Sequence, residues 1–254
     1  MKIGAIAGIT FKEAQRDRIL YLLFGFAAVG IIASRVLAVL TVGDRIKIIK
    51  DVGLASIALF GVLMAILIGT GLVYKEIDKK TIYTLLAKPL HRAEFILGKY
   101  LGLALTLLVM TAAMTVIFLA IVYAHTLKIE SGLLVAVAYV FVELLLITAV
   151  AILFSSFSTP ILSSLFALAF YLIGHLSWGL EAIIKKMGPG AGRTAVRGLY
   201  AVLPDLENFN FRTEVVHNLP IPPAIYLSSL LYGVCYTAFI LGLAVLIFQR
   251  RDFV

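Results

Sequence analysis

The amino-acid sequence predicts an all-α polytopic membrane protein. It has six transmembrane helices, an N-terminal amphipathic helix in the membrane interface and a charged helical loop between spans two and three. Three observations carry that prediction. First, the 254 residues are 62% hydrophobic and only 14% charged, with a mean hydropathy of +1.06, whereas soluble domains are about half apolar and a quarter charged. A soluble fold of this length would need more polar surface than the chain holds. Second, six segments each supply the ~20 apolar residues that cross a bilayer core. Third, the charges gather between those segments. The 27 residues from Tyr74 to Tyr100 carry nine charged side chains, a quarter of the 36 in the chain.

The first element is the amphipathic helix, residues 1–18. Ile3, Ile6, Ala7, Thr10, Phe11 and Ala14 fall on one helical stripe, and Lys12, Glu13, Gln15, Arg16 and Asp17 largely face away. Such a helix suits the membrane interface, as an anchor or as an elbow that also touches a cytoplasmic partner. Span one follows from about Ile19 to Leu40, span two from Val52 to Val73 and span three from about Leu101 to Ala124. Ser131 to Leu180 is 50 residues with one charge, Glu143. The turn "SSFSTP" (Ser155 to Pro160) divides it, because clustered hydroxyl residues and a proline favour a bend. It therefore holds span four, about Leu133 to Leu153, and span five, Ile161 to Leu180. Residues 181–223 form a long loop, and span six runs from about Ala224 to Phe248. The whole chain, 1–254, reads as one transmembrane domain.

Basic residues in short loops set orientation. Twelve of them fall on the side of both termini and the Tyr74–Tyr100 loop, against five in the two short loops opposite. Both termini are therefore expected in the cytoplasm of a multi-pass cell-membrane protein. A cleaved signal peptide is not expected, since a charged helix precedes an apolar run that is too long. In this setting the net charge of +8 reflects topology, and nucleic acid is not an expected partner. The single cysteine, Cys235, lies in an apolar run and defines neither a disulfide nor a cysteine-based metal site.

Within the charged loop, residues 75–99, Glu76 to Leu86 reads as a short helix. Glu76 and Asp78 suit a helix start. Ile82, Leu85 and Leu86 share a face, and Lys88 and Pro89 mark the end. A second helix begins near Arg92 and runs through Phe95 and Lys99 into span three. The apolar face of this loop needs a cover. Pattern alone leaves two open, the bilayer surface and a pocket of a partner protein.

Glu76, Thr81, Leu85, Lys88-Pro89-Leu90, Arg92, Phe95 and Lys99 together resemble the cytoplasmic loop of type 2 ABC exporter permeases. The likeness is strongest to the single-domain six-span branch that includes permeases of multicopper-enzyme maturation. "LPDLENFNFR" (Leu203 to Arg212) is similar to a stretch of that family's extracytoplasmic loop. Two positions depart from the family pattern: Lys80 stands where glycine is frequent, and His91 replaces a Ser or Thr that would cap the following helix. The resemblance implies that the loop is a coupling helix docking a separate ATPase, with Glu76, Thr81, Ile82, Leu85, Leu86, Lys88, Pro89 and Arg92 at the contact. It also implies two permease chains, expected to be identical, working with two ATPase subunits.

No catalytic, cofactor-binding or metal-binding residues are expected in this chain. It has no G-x-x-x-x-G-K-[ST] loop, and "GPGAGRT" (Gly188 to Thr194) has Arg193 in place of the lysine and a shorter glycine spacing. ATP and magnesium are expected in the partner. His91, His125, His175 and His217 are scattered, and no pair has ligand spacing. No hydrolase motif or paired intramembrane carboxylates appear. Glu143 is the one carboxylate deep in a span, where charge is expensive. It either ties span four to a neighbour or lines a translocation path and relays a proton. Arg35 is placed to snorkel, Trp178 to sit in the aromatic belt, and Tyr200, Phe209 and Phe211 to pack a lid over the exit or receive an outer partner.

The function this supports is a permease subunit of an ABC transporter, of the exporter kind, coupling hydrolysis in a separate ATPase to translocation. The substrate classes left open are a lipid, a hydrophobic drug, a peptide and a lipoprotein segment. Two other classes stay open. One is a membrane scaffold or sensor that docks a cytoplasmic partner, and the other is an ion-coupled secondary transporter using Glu143.

Overall fold

The computed structural model describes residues 2–40, 44–78, 91–128, 130–176, 192–194 and 204–250, with their side chains except at 2, 73–78 and 250. The described residues form helices and turns without strands: α1 (Lys2–Gln15), α2 (Arg18–Leu40), α3 (Arg45–Asp78), α4 (Arg92–Thr126), α5 (Ser131–Ser155), α6 (Pro160–His175), a 3₁₀ turn (Leu206–Phe209), α7 (Arg212–Val216) and α8 (Pro223–Arg250). Five of them, α2, α3, α4, α5 and α8, are long and apolar enough to cross a membrane. The sixth apolar helix, α6, has 16 residues and spans about 24 Å at the helical rise, short of the ~30 Å core.

Burial orders the bundle. In the most apolar stretch of α5, 67% of residues are buried, and in α3 61%, against 28% in α2 and 22% in α8. Helices α5 and α3 are therefore the centre and α2 and α8 the rim. On α2 the buried residues Leu20, Leu23, Ala27, Ile31, Ser34 and Ala38 form one stripe, and Leu22, Val29, Ile32 and Val36 are exposed around it. Large exposed apolar side chains would be costly in water. Against lipid tails they cost nothing, because the tails are as apolar as they are. Four of the hydroxyls buried in the bundle bond to the backbone: Thr70, Thr106, Thr115 and Thr148 each donate to the carbonyl four residues earlier. Ser155 of α5 donates across to the Thr70 carbonyl of α3 at 3.1 Å.

Helix α1 packs on the start of α4, and this refines the interfacial reading of its apolar stripe. A Cβ on Gly102 would stand 2.6 Å from the Ala7 carbonyl oxygen and 2.6 Å from Thr10 Cβ. Only glycine lets the two backbones approach so closely. Thr10 and Ala14 are fully buried there. Glu13, on the polar face, pairs with the buried Lys99 at 3.5 Å.

Two boundaries differ from the sequence reading. Helix α3 opens at Arg45, because its charged first turns find partners outside the apolar core. Lys50, 3% exposed, is held by Glu130 at 2.6 Å, and Asp51 pairs with Arg212 at 2.9 Å. Just ahead of the helix, the hydrogen bond from Lys47 holds the exposed Asp44 carboxyl below its ordinary value. At its other end α3 continues unbroken to Asp78. Glu76 and Asp78 thus close α3 and do not open a separate helix. The run from Tyr74 to Asp78 has neither glycine nor proline to stop it.

If the α1–α4 contact depends on that close approach, Gly102→Ala should cost about 1–3 kcal/mol by overpacking. It should lower the melting temperature in detergent and expose α1 to protease. An unchanged melting curve would show that α1 is not seated on α4.

Candidate functional site

One end of the bundle brings the start of α4 to the C-terminal end of α8. Here Arg92 donates from Nη1 to the carbonyls of Phe248 at 3.0 Å and Gln249 at 2.7 Å. Those are terminal carbonyls of α8, which lack partners within their own helix. Phe95 stacks on Phe248 with centroids 5.6 Å apart. Helix α4 starts without a Ser or Thr cap. The Glu94 carboxylate instead accepts from the His91 backbone N–H at 3.0 Å, which answers the departure from the usual cap at this position. Of the residues expected to contact a partner, Arg92 is thus a joint between α4 and α8. Glu76 lies in the last turn of α3, its side chain outside the described set. Thr81, Ile82, Leu85, Leu86, Lys88 and Pro89 lie outside the described residues.

The second site is inside the bundle. Glu143 stands midway along α5, 3% exposed. His175, in the last turn of α6, places Nε2 at 2.7 Å from Glu143 Oε1 and Nδ1 at 3.3 Å from Glu207 Oε2. Glu207 belongs to the 3₁₀ turn, whose start is capped by Asp205 accepting from the Glu207 N–H at 3.2 Å. Asn210 donates to Glu207 Oε1 at 2.8 Å. A neutral imidazole donates from one nitrogen only. Hydrogen bonds to both carboxylates therefore require one extra proton in the triad, on the imidazole or on a carboxyl. In either placement Glu143, His175 and Glu207 together carry one net negative charge.

Short helices put this chain together. Because α6 ends at His175, its last turn lies level with the middle of α5. The stretch 204–216 folds in beside it. Leu206, Phe209, Phe211, Val215 and Val216 are buried. Gly174 makes room for it, since a Cβ there would meet Leu206 at 2.7 Å. Phe211 packs edge-on against Tyr139 at 4.7 Å, and Tyr139 donates to the Tyr226 carbonyl at 2.6 Å. The aromatic residues expected to pack a lid or receive a partner are, for Phe209 and Phe211, packed into the bundle itself. Tyr200 and Trp178 lie outside the described residues.

A cavity of about 340 Å³ opens beside the triad. Leu54, Ala58, Leu59 and Val140 form its apolar wall, and Glu143, Tyr171, His175, Asn210 and Arg212 its polar end. Glu143 was the one residue of this site marked by the sequence. Arg212 and Glu207 lie within "LPDLENFNFR", but nothing in that stretch says that they fold against Asp51 and His175. Tyr171 carries no signal at all.

A family model for ABC-2 family transporter proteins matches residues 5–253 of the chain. No curated protein matches it.

Removing the imidazole should release the inserted stretch. His175→Ala is expected to speed amide hydrogen exchange across residues 205–216 by about tenfold or more, with α1 and α4 unaffected. Unchanged protection of 205–216 would mean that apolar packing alone holds it.

Proposed function

The chain belongs to the ABC-2 family of transporter proteins, and from that premise we propose that it is the six-span permease subunit of an exporter, driven by a separate ATPase. Multi-pass membrane insertion and partnership with an ABC ATPase follow from the family and the apolar helices. Export, the coupling route and the assembly of two permeases with two ATPases are the proposal, as is the placing of both termini in the cytoplasm of a cell-membrane protein. Helix α6 is the sixth span in this reading, completed on its outer side by the 204–216 stretch.

The observation that carries the coupling route is the length of the two helices flanking residues 79–91. Helix α3 has 34 residues and α4 has 35, about 50 Å each at the helical rise. On the side of that loop α3 runs five residues past its apolar run and α4 opens nine residues before its own, about 8 and 14 Å. A partner that moves the connecting loop moves two rigid levers. Through Arg92 and Phe95 the second lever also holds the end of α8, and through Lys99 it holds α1. In this scheme Ile82, Leu85 and Leu86 seat in the ATPase, with Glu76, Thr81, Lys88 and Pro89 around them, and Arg92 passes the movement on. The Glu143–His175–Glu207 chain is the one observation that favours an ion-coupled secondary transporter. Such a transporter would work without an ATPase, which separates the two readings.

Co-purification with the cognate ABC ATPase and ATP-dependent transport in proteoliposomes test the proposal. Leu85→Asp is expected to cut ATPase co-purification at least about tenfold while the membrane part keeps its melting temperature, since it puts a charge into an apolar contact. Normal binding and transport by Leu85→Asp, or transport with no ATPase present, would overturn it. Arg92→Ala should leave ATPase binding intact but lower transport several-fold.

A further inference from the structure

We infer that the Glu143–His175–Glu207 chain is a pH-operated lock on one wall of the cavity. With its one extra proton it holds residues 205–212 against α5 and α6, and loss of that proton to an alkaline medium lets this wall loosen. The lock goes beyond the permease reading and does not depend on it.

Its working follows from the supply of donors. A charged carboxylate only accepts hydrogen bonds, and a neutral imidazole donates from one nitrogen and accepts at the other. His175 stands between two such carboxyls, with Glu143 at 2.7 Å from one ring nitrogen and Glu207 at 3.3 Å from the other. While the extra proton is present, both contacts are hydrogen bonds. Once it leaves, one ring nitrogen turns a lone pair towards a carboxylate oxygen, and that contact becomes repulsive. The contact given up is the one to Glu207. Glu143 is 3% exposed, and without the imidazole N–H it would be a buried, unpaired charge. The Glu207 side chain is 47% exposed, so water can take over its bond. The same exposure gives the proton a way in and out.

Among the described residues, the charged and titratable groups around the ring are few. Tyr171 of the same helix packs edge-on against it at 4.7 Å. Helix α5 brings Glu143, and the 3₁₀ turn brings Glu207, with Asp205 capping its start at 3.2 Å. Helix α7 brings Arg212, which Asp51 of α3 holds at 2.9 Å. Of these side-chain types only imidazole ordinarily titrates between about pH 6 and 9, and a carboxyl coupled to it shares that titration.

What the lock holds is part of the cavity. Asn210, Phe211 and Arg212 line it, and they follow directly on the turn that Glu207 anchors. Asn210 is also tied to Glu207 itself at 2.8 Å. Burial of Leu206 and Phe209 and the Arg212–Asp51 pair remain when Glu207 lets go. The wall therefore loosens without leaving the bundle.

The test is amide hydrogen exchange on the full chain in lipid nanodiscs from about pH 6 to about pH 9, above the ordinary carboxyl range. Rates are expressed as protection factors, so that the intrinsic pH dependence of exchange drops out. Protection of residues 205–212 is expected to fall about tenfold or more across this range, while α4 keeps its own. Glu207→Gln separates the lock from general alkaline loosening. Its amide oxygen still accepts from Asn210, and its amide N–H donates to a neutral imidazole, so both bonds form with no extra proton. Glu207→Gln should therefore hold 205–212 equally well at both ends of the range. His175→Ala should show low protection at the acid end and no further fall. The first measurement stands even if neither variant folds. Protection of 205–212 that does not change with pH in the unmodified chain, or that falls as much in Glu207→Gln or His175→Ala, would overturn the inference.

Discussion

A polar group that this chain carries into hydrocarbon can find a partner only inside the protein, because lipid offers none. That constraint explains more of the architecture than any apolar contact does. Apolar side chains are nearly indifferent to whether they face lipid or protein, so they choose no neighbour strongly. Polar ones choose. Thr70 and Ser155 bring α3 and α5 together through one carbonyl. Lys50 and Glu130 fix the opening turns of α3 against the turn before α5. Glu143 and His175 fix where α6 stops along α5, and Glu207 then draws the 3₁₀ turn down to meet them. A buried ion pair is weak evidence of net stability, because desolvation offsets most of its attraction. Breaking one is severe, since it strands a charge. Such pairs therefore act mainly by excluding other arrangements of helices that would be as apolar and as well packed.

The same reasoning explains which parts of the structure were legible in the sequence. Spans are long apolar runs, and a run is local. Helices α2, α5 and α8 accordingly start and end within two residues of the apolar segments that predict them. Ends that depend on distant partners were not legible. Helix α3 begins seven residues before the apolar run because Glu130 and Arg212 neutralise Lys50 and Asp51, and neither partner is near in sequence. The amphipathic stripe of α1 announced a helix with one covered face. It could not announce that the cover is α4, since the signal for that is Gly102, which reads equally well as an ordinary glycine of a span. Glu143 drew attention as a lone intramembrane carboxylate. Its partner His175 lies 32 residues away, and Glu207 lies 32 beyond that. Periodicity does not reach across such distances.

The two ends of the molecule are built on different principles. Around Arg92 the contacts are between helix ends: a guanidinium on terminal carbonyls, a ring on a ring, a carboxylate closing its own helix start. These bonds can shift as a unit, because each joins one helix to another, with the buried Phe95, Phe248 and Lys99 packed at the joint. Around Glu143 the contacts are between a short helix, a single 3₁₀ turn and the middle of the most buried helix. Here a displacement of one element changes the hydrogen bonding of all three. A transporter needs this contrast. In the proposed scheme the end that receives force passes it on without deforming, and the region around the cavity responds to a small movement.

Helix α3 joins the two. Leu54, Ala58 and Leu59 of α3 form part of the cavity wall, and the same helix runs without a break to Asp78 beside the loop read as the ATPase contact. No proline or bulge lies between Leu59 and Asp78 to absorb a rotation. In the proposed coupling scheme, tilting its far end would move Leu54 and Ala58 relative to Glu143, which α5 holds at the centre of the bundle. The distance between the apolar wall and the carboxylate then depends on the position of the lever. Under that scheme a ligand held between them would meet a site that opens or narrows as α3 tilts. Under the proposed scheme, energy applied at one end would become a difference in affinity at the other, which is what a ligand needs in order to be released on a different side from the one where it bound.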